Sequence, residues 1–128
     1  DILNEPKMLE LIGFGKDKID IMDNFNNVVC YLSDDGMDLA IFERNDIRYS
    51  QGHNCFRSKA RQAITNGKDI IETYFNEFPY LEVIFGLTPI KYKSTRWFNN
   101  KIGFKFIQFQ WMECGLLAAR YEIRRNEK

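Results

Sequence analysis

The sequence predicts an α/β (α+β) domain: a mixed, mostly antiparallel sheet with one central parallel β-α-β unit and helices on both faces. Three short strand-like runs lie between residues 28 and 56, and a long segment with apolar residues every three or four positions follows them. After this segment come a strand-like run, a second helical segment and two more strand-like runs. A helix between successive strands makes them parallel through a right-handed crossover, whereas hairpins make the flanking strands antiparallel.

The three strand-like runs between residues 28 and 56 predict an antiparallel meander. Residues 28–32 and 39–42 flank the Asp-Asp-Gly turn at residues 34–36, which is the pattern of a β-hairpin. A polar turn at residues 43–46 then leads into a third strand over residues 48–56. We therefore expect three neighbouring antiparallel strands before the first long helix.

The central helix is predicted over residues 58–78, where apolar side chains three and four positions apart share one helix face. Gly67 lies inside this segment. Because glycine costs about 1 kcal/mol relative to alanine within a helix, we expect a kink or an early break there. Pro79 ends the helix, and residues 80–87 form the next strand, which stops near Pro89.

The C-terminal part predicts a short helix and a final pair of strands. The helix covers residues 92–101 with Gly103 as its C-cap, an aromatic strand begins at Phe104, and the last strand covers residues 116–123 after a turn at 113–115. Six aromatic side chains of this part are expected mostly in the core, with some of them forming an exposed patch for a partner. They are Trp97, Phe98, Phe104, Phe106, Phe109 and Trp111.

The N-terminal part gives a weaker pattern. Residues 8–12 fit a strand or a helical turn, and residues 16–22 fit a short helix. The acidic residues among the first ten do not fit a signal peptide, and no run approaches the ~20 apolar residues of a membrane span.

Length, charge and cysteine content narrow the classes of function. The 128 residues suit one domain spanning residues 1–128, and 18 basic against 18 acidic residues leave no net charge to attract nucleic acid or an anionic membrane. Cys30, Cys55 and Cys114 are odd in number and far apart, so we expect free thiols in a cytoplasmic protein. A single histidine without a compact acidic cluster predicts no metal site, and the sequence has no hydrolase or NTPase motif.

A basic loop joins the third strand to the central helix. Its six residues are Arg57, Ser58, Lys59, Ala60, Arg61 and Gln62. With the order of strands and helices, this loop resembles the GNAT superfamily of acyl-CoA-dependent N-acetyltransferases over residues 27–123. In that superfamily the loop reads Arg/Gln-x-x-Gly-x-Gly/Ala, and its N–H groups and helix dipole bind the pyrophosphate of coenzyme A. The resemblance implies acetyl-CoA as cofactor, bound by a degenerate loop in which Ala60 and Gln62 replace the glycines.

A second part of the superfamily pattern aligns with the second helix. It is Asn-x-x-Ala followed by an aromatic residue and Lys-x-Gly-Phe, and the matching residues here are Tyr92, Thr95, Phe98, Lys101, Gly103 and Phe104. The resemblance implies that Tyr92 takes the place of the asparagine in the cofactor site. Where many active members carry a tyrosine as general acid, this chain has Asn99.

His53 is the first candidate for the catalytic base. It is the only histidine, it lies in the third predicted strand, and an unperturbed histidine pKa of about 6.5 suits removal of a proton from the attacking amine. The alternative is a strand histidine hydrogen-bonded to a neighbour. Cys55 shares its strand face and is expected to be a buried small side chain. Glu43 is the substitute base, although its place after the second strand is typical of a solvated turn.

Two functional interpretations stay open. In the first, the chain is an acetyl-CoA-dependent N-acetyltransferase that acts on an amine of a small molecule or a protein. In the second, it is a catalytically inactive relative. The His-x-Cys-Phe strand, the Arg-x-x-Ala loop and the late Gly-Phe resemble the GNAT-like proteins of tailed bacteriophages, which implies virion or head assembly or binding of a host protein. A phage-encoded chain would act in the host cytoplasm or in the virion.

Overall fold

The computed structural model describes residues 28–44 and 46–127. The elements predicted at residues 8–12 and 16–22 lie outside the described residues. The described strands and helices follow the predicted order: β1 (Val28–Leu32), β2 (Asp38–Glu43), β3 (Tyr49–Phe56), α1 (Ala60–Glu77), β4 (Val83–Pro89), α2 (Lys93–Lys101), β5 (Lys105–Trp111) and β6 (Leu117–Arg124), with a 3₁₀ turn at Arg125–Glu127.

The six strands form one sheet in the order β1-β2-β3-β4-β6-β5. Strands β3 and β4 are parallel, and every other neighbouring pair is antiparallel. The predicted meander and the predicted central parallel unit are therefore confirmed. The β1–β2 turn contains Gly36 with a φ of 73°, a conformation that glycine adopts without the steric cost of a side chain.

Both described helices pack on one face of the sheet. The Tyr74 ring of α1 stacks on Phe42 of β2 with 4.2 Å between ring centroids. Ile102, which follows α2, belongs to the same buried cluster as Phe42 and Tyr74. The sequence also predicts a helix on the opposite face, which the two described helices do not provide, and the short helix predicted at residues 16–22 lies outside the described residues.

The predicted break at Gly67 is wrong, because α1 is one helix from Ala60 to Glu77. A Cβ added at Gly67 would lie 3.0 Å from Cγ2 of Ile102. Glycine therefore allows α1 to approach the end of α2 closely, and packing against this second helix offsets the low helix propensity.

Strand β4 begins later than predicted and ends at Pro89, near which the sequence predicts its end. The N–H of Leu81 donates to the carbonyl of Phe78 at 3.0 Å, so the chain turns there before it can extend. Val83 is the first strand residue, and Pro89 still pairs with Ala118 at the other end.

The expectation that the C-terminal aromatic residues lie mostly in the core is wrong. Phe104 is buried and Phe98 is partly buried, but Trp97, Phe106 and Phe109 are 48%, 44% and 53% exposed, and Trp111 is 72% exposed. Phe106, Phe109 and Trp111 are exposed because they lie on β5, which the sheet order puts at an edge. The alternative expectation, an exposed aromatic patch, fits this strand.

Candidate functional site

The parallel strands β3 and β4 separate soon after they pair. Residues 49–51 of β3 pair with residues 83–85 of β4, and beyond them the two described strands run on without pairing. Gly52 and Gly86 lie at the point of separation, where a Cβ on Gly86 would lie 3.6 Å from the Gly52 carbonyl oxygen. The gap opens under α1 and α2 into a cleft of about 950 Å³.

The cleft combines an apolar floor with a basic mouth. Ala40, Phe42 and Ile71 are buried residues of the floor, whereas Lys91 and Lys93 are exposed at the rim. Among the described residues no aspartate or glutamate lines the cleft. A ligand with negative charge at one end and an uncharged remainder matches this distribution.

Two helix N-termini open on the cleft. Helix α1 begins after the N-cap Lys59 and α2 after the N-cap Tyr92; in the described chain neither has a side-chain cap or an acidic residue in its first turn. Ser58 and Ala60 line the cleft beside the first helix, and Tyr92 lines it beside the second. The unpaired N–H groups of a first turn carry partial positive charge, so both helix ends favour an anion in this cleft.

A buried carboxylate that the sequence analysis missed anchors the loop. Asp38, at the start of β2, is 0% exposed. One oxygen accepts hydrogen bonds from the N–H groups of Arg57 and Ser58 at 2.8 and 2.9 Å. The other oxygen accepts one from the Ser58 hydroxyl and one from Nδ2 of Asn66 at 2.7 Å. Asp38 thus ties the loop to β2 and to the second turn of α1.

These hydrogen bonds keep Asp38 ionised. Burial raises the pKa of Asp38, but the hydrogen bonds from Ser58, Asn66 and Arg57 outweigh burial and bring the pKa below its usual value. Because Asp38 already binds the N–H groups of Arg57 and Ser58, the donors left for a ligand are the amides that begin α1.

The remaining loop residues surround the N-terminus of α1. Arg57, Lys59 and Arg61 are exposed there. Gln62 is exposed too, and its Nε2 donates to Oδ1 of Asn66 at 2.8 Å, so this side chain extends along the helix towards the next turn. Ala60 is exposed beside the cleft. Ala60 and Gln62, which stand in place of the two glycines of the superfamily loop, therefore leave the first N–H groups of α1 accessible to a ligand.

His53 and Glu43, predicted as alternative bases, lie side by side. The β2–β3 register puts them diagonally on one face, with His53 Nε2 3.4 Å from Glu43 Oε1. Their side chains are 8% and 27% exposed, so the expectation of a solvated turn for Glu43 is wrong. Hydrogen bonding to His53 lowers the pKa of Glu43. His53 also lines the cleft.

Cys55, two residues after His53, is fully buried on β3. Burial raises the pKa of its thiol to about 11, which keeps the thiol neutral. This matches the sequence expectation of a small packed side chain, and Cys30 and Cys114 are likewise free thiols.

Asn99, at the position of the superfamily's tyrosine, takes part in a polar bridge across the cleft. Its Nδ2 donates to Thr88 Oγ1 at 3.0 Å, and its Oδ1 accepts from Asn54 Nδ2 at 3.5 Å. The three side chains come from α2, β4 and β3 respectively. An amide held in this way does not supply the proton that a tyrosine would give to a leaving thiolate.

Within the described ranges 28–44 and 46–127, no three His, Cys, Asp or Glu side chains converge on a possible metal site.

Neither described helix combines the length and the apolar composition needed to cross a bilayer.

No protein-family model matches the chain, and no curated protein matches its sequence. Solved structures do match. The aminoglycoside acetyltransferase AAC(6')-Ib in complex with coenzyme A and kanamycin gives a TM-score of 0.73 at 12% identity, over 98% of this chain and 87% of that chain. A spermidine N-acetyltransferase from Vibrio cholerae in complex with CoA and spermine gives a TM-score of 0.70 at 9% identity, over 98% of this chain and 87% of that chain. With its six-stranded sheet and central parallel pair, the chain has the fold of the GNAT acetyltransferases.

Proposed function

We propose that the chain is an N-acetyltransferase that uses acetyl-CoA and acts on an amine of a small molecule or a protein. One observation carries the proposal: the cleft between β3 and β4 has two uncapped helix N-termini, a basic rim and, in the described chain, no lining carboxylate. Structural neighbours that are acetyltransferases in complex with kanamycin or spermine support an amine as the acceptor class.

The residues of the cleft suit coenzyme A along its length. The amides that begin α1, with Arg57, Lys59 and Arg61 around them, would hold the pyrophosphate. Tyr92 would contribute at the start of α2. Beyond Gln51, β3 has no described strand beside it on the β4 side, so its backbone can pair with the amide groups of an extended ligand as an added strand does.

The chemistry needs a base and donors for an oxyanion. Bound acetyl-CoA would supply the acetyl group as an activated thioester, whose carbon–sulfur bond breaks as the amine nitrogen bonds to the acetyl carbon, with the thiolate of coenzyme A as the leaving group that solvent protonates. His53 would accept the proton of the attacking amine, and Glu43 would stabilise the protonated imidazole. Backbone N–H groups of β3 that no longer face β4 are the donors for the negative oxygen that develops on the carbonyl.

Thermal unfolding with acetyl-CoA tests this proposal directly. At a concentration ~100-fold above the dissociation constant, binding to the folded state adds about 2.7 kcal/mol to the free energy of unfolding. We expect the melting temperature to rise by about 5–15 °C. The double variant Lys59→Glu/Arg61→Glu should lose most of this rise, because two carboxylates at the N-terminus of α1 repel phosphate while they favour the helix dipole.

The matched control is Lys68→Glu. Lys68 is an exposed lysine of the same helix and does not line the cleft, so this variant should keep the full rise. An unchanged melting temperature of the wild-type chain in acetyl-CoA would overturn the enzyme proposal. The assembly or host-binding role that the phage resemblance implies would then be the interpretation left.

A further inference from the structure

Helix α2 presents a tryptophan at the mouth of the cleft. Trp97 lines the cleft and is 48% exposed. The other aromatic side chains that line the cleft in the described chain are all buried or partly buried: Phe42, Phe56, Tyr92, Phe98, Phe104 and Tyr121. Trp97 is therefore the aromatic residue of the cleft whose ring a ligand can reach from solvent.

The buried rings of the cleft are already engaged with one another or with the core. The rings of Phe56 and Phe98 lie 5.1 Å apart between their centroids. Phe42 stacks on Tyr74 of α1. A planar ligand group that entered the cleft would have to displace these contacts, whereas stacking on Trp97 at the mouth displaces only water.

The Trp97 ring lies between two lysines on one face of α2. Lys93, Trp97 and Lys101, which we call the α2 row, are spaced four residues apart and are all exposed. Lys101 Nζ lies 5.6 Å from the centroid of the Trp97 ring, over its face. Because the side chain is half-exposed with this cation over one face, ring surface remains for a planar group to stack on.

The proposed cofactor has a planar group at the end that would reach this mouth. Coenzyme A carries its thiol at one end and adenosine with a ribose phosphate at the other, and its pyrophosphate lies between them. The proposed site holds the pyrophosphate at the start of α1 and the thioester near His53, whose side chain is only 8% exposed. The adenosine would then extend away from His53 towards solvent, where Trp97 borders the cleft.

We propose that Trp97 stacks on the adenine of coenzyme A and that the flanking lysines attract its ribose phosphate. The inference rests on the proposed function and adds the residues that recognise the nucleotide end of the cofactor. An aromatic side chain stacks on a base through the flat faces of both rings. Lys93, which lines the cleft, and Lys101 supply positive charge on either side of the ring.

The charge of the α2 row favours the cofactor over the acceptor as its ligand. An acceptor amine is a cation at neutral pH before it loses its proton. Two lysines around Trp97, with no carboxylate lining the cleft in the described ranges, would repel such a cation. A nucleotide combines an uncharged planar base with an anionic phosphate, which matches an indole ring between two ammonium groups.

Tryptophan fluorescence tests the stacking directly. Trp97 and Trp111 are the two tryptophans of the sequence, and Trp111 does not line the cleft. In the variant Trp111→Phe the emission therefore reports Trp97 alone. Saturating coenzyme A should quench this emission, because the adenine covers the indole ring. Saturating phosphopantetheine, which lacks the adenosine, should leave the emission unchanged.

Calorimetry on a second set of variants measures the contribution to binding. Trp97→Ala should weaken coenzyme A binding by about 5–150-fold, the usual effect of removing one aromatic ring from a stacked base. Its affinity for phosphopantetheine should equal that of the wild-type chain. Trp97→Phe keeps an aromatic face and should keep most of the affinity. The matched control is Trp111→Ala, which removes a 72% exposed tryptophan outside the cleft and should bind coenzyme A as the wild type does.

The outcomes separate this inference from the proposed function. If coenzyme A binds the wild-type chain but neither quenches Trp97 nor binds more weakly to Trp97→Ala, the adenine site is wrong and the proposed function stands. An equal loss of coenzyme A and phosphopantetheine affinity in Trp97→Ala would also overturn it, since the tryptophan would then shape the cleft without recognising adenine. A wild-type chain that binds no coenzyme A would overturn both.

Discussion

Replacing His53 by alanine is expected to lower acetyl transfer by about 10²–10⁴-fold, the usual contribution of a positioned general base. The reason is geometric: His53 lines the cleft, and its Nε2 lies 3.4 Å from Glu43 Oε1. The rate should be followed by mass spectrometry with acetyl-CoA and an amine on which the wild-type chain is active, starting from kanamycin and spermine. Binding of acetyl-CoA should be unchanged, because the phosphate-binding amides lie at α1 and α2.

The control for this variant is Gln51→Ala. Gln51 lies on the same strand face two residues before His53, is half-buried, and pairs with Phe85 where the strands are still together. Its replacement disturbs the strand equally but removes no candidate base, so turnover should stay near the wild-type value. Full turnover of His53→Ala would remove His53 from the mechanism. An equal loss in both variants would show that the loss comes from the strand and not from the base.

The fold could be predicted because its determinants are local. The glycine turn at residues 34–36 and the runs around it specify the first hairpin, and the spacing of Ile70, Ile71, Tyr74 and Phe75 specifies the buried face of α1. The aromatic residues of β5 were misjudged because sequence patterns give hydrophobic character and not the position of a strand in the sheet. The bulge, which aligns Phe106 with Phe109, also leaves no local sequence pattern.

The candidate site could be predicted only in part. His53 and Glu43 were identified singly, by residue type and position near the loop. Their pairing depends on the register of β2 against β3, which the residue types of the two strands do not specify. Asp38 was missed because its partners at Arg57, Ser58 and Asn66 are far along the chain. An aspartate at the start of an apolar run is unusual in strands, and this was the one available signal.

Replacing Asp38 by alanine is expected to lower the free energy of unfolding by about 3–5 kcal/mol. The substitution removes the acceptor of the Arg57 and Ser58 N–H groups and of the Ser58 hydroxyl. It leaves the Asn66 amide with its longer hydrogen bond to Asp35 at 3.2 Å. For a chain of this length the melting temperature should fall by about 10–20 °C. Since the loop would no longer be tied to β2, the acetyl-CoA-induced rise in melting temperature should shrink as well.

The loss of stability caused by Asp38→Ala should depend on pH, in a direction that the pKa of Asp38 determines. This pKa is lower in the folded chain than its ordinary value of about 3.9. The stabilisation is therefore present above about pH 4 and is lost as the pH falls through the lower, folded-state pKa. The stability difference between wild type and Asp38→Ala should accordingly narrow in acid.

Asp38→Asn keeps one acceptor oxygen for the loop amides but cannot ionise, so it should lose less stability than alanine and should lack this acid dependence. A wild-type advantage over Asp38→Asn that stayed constant down to pH ~2 would show that the carboxylate charge does not hold the loop.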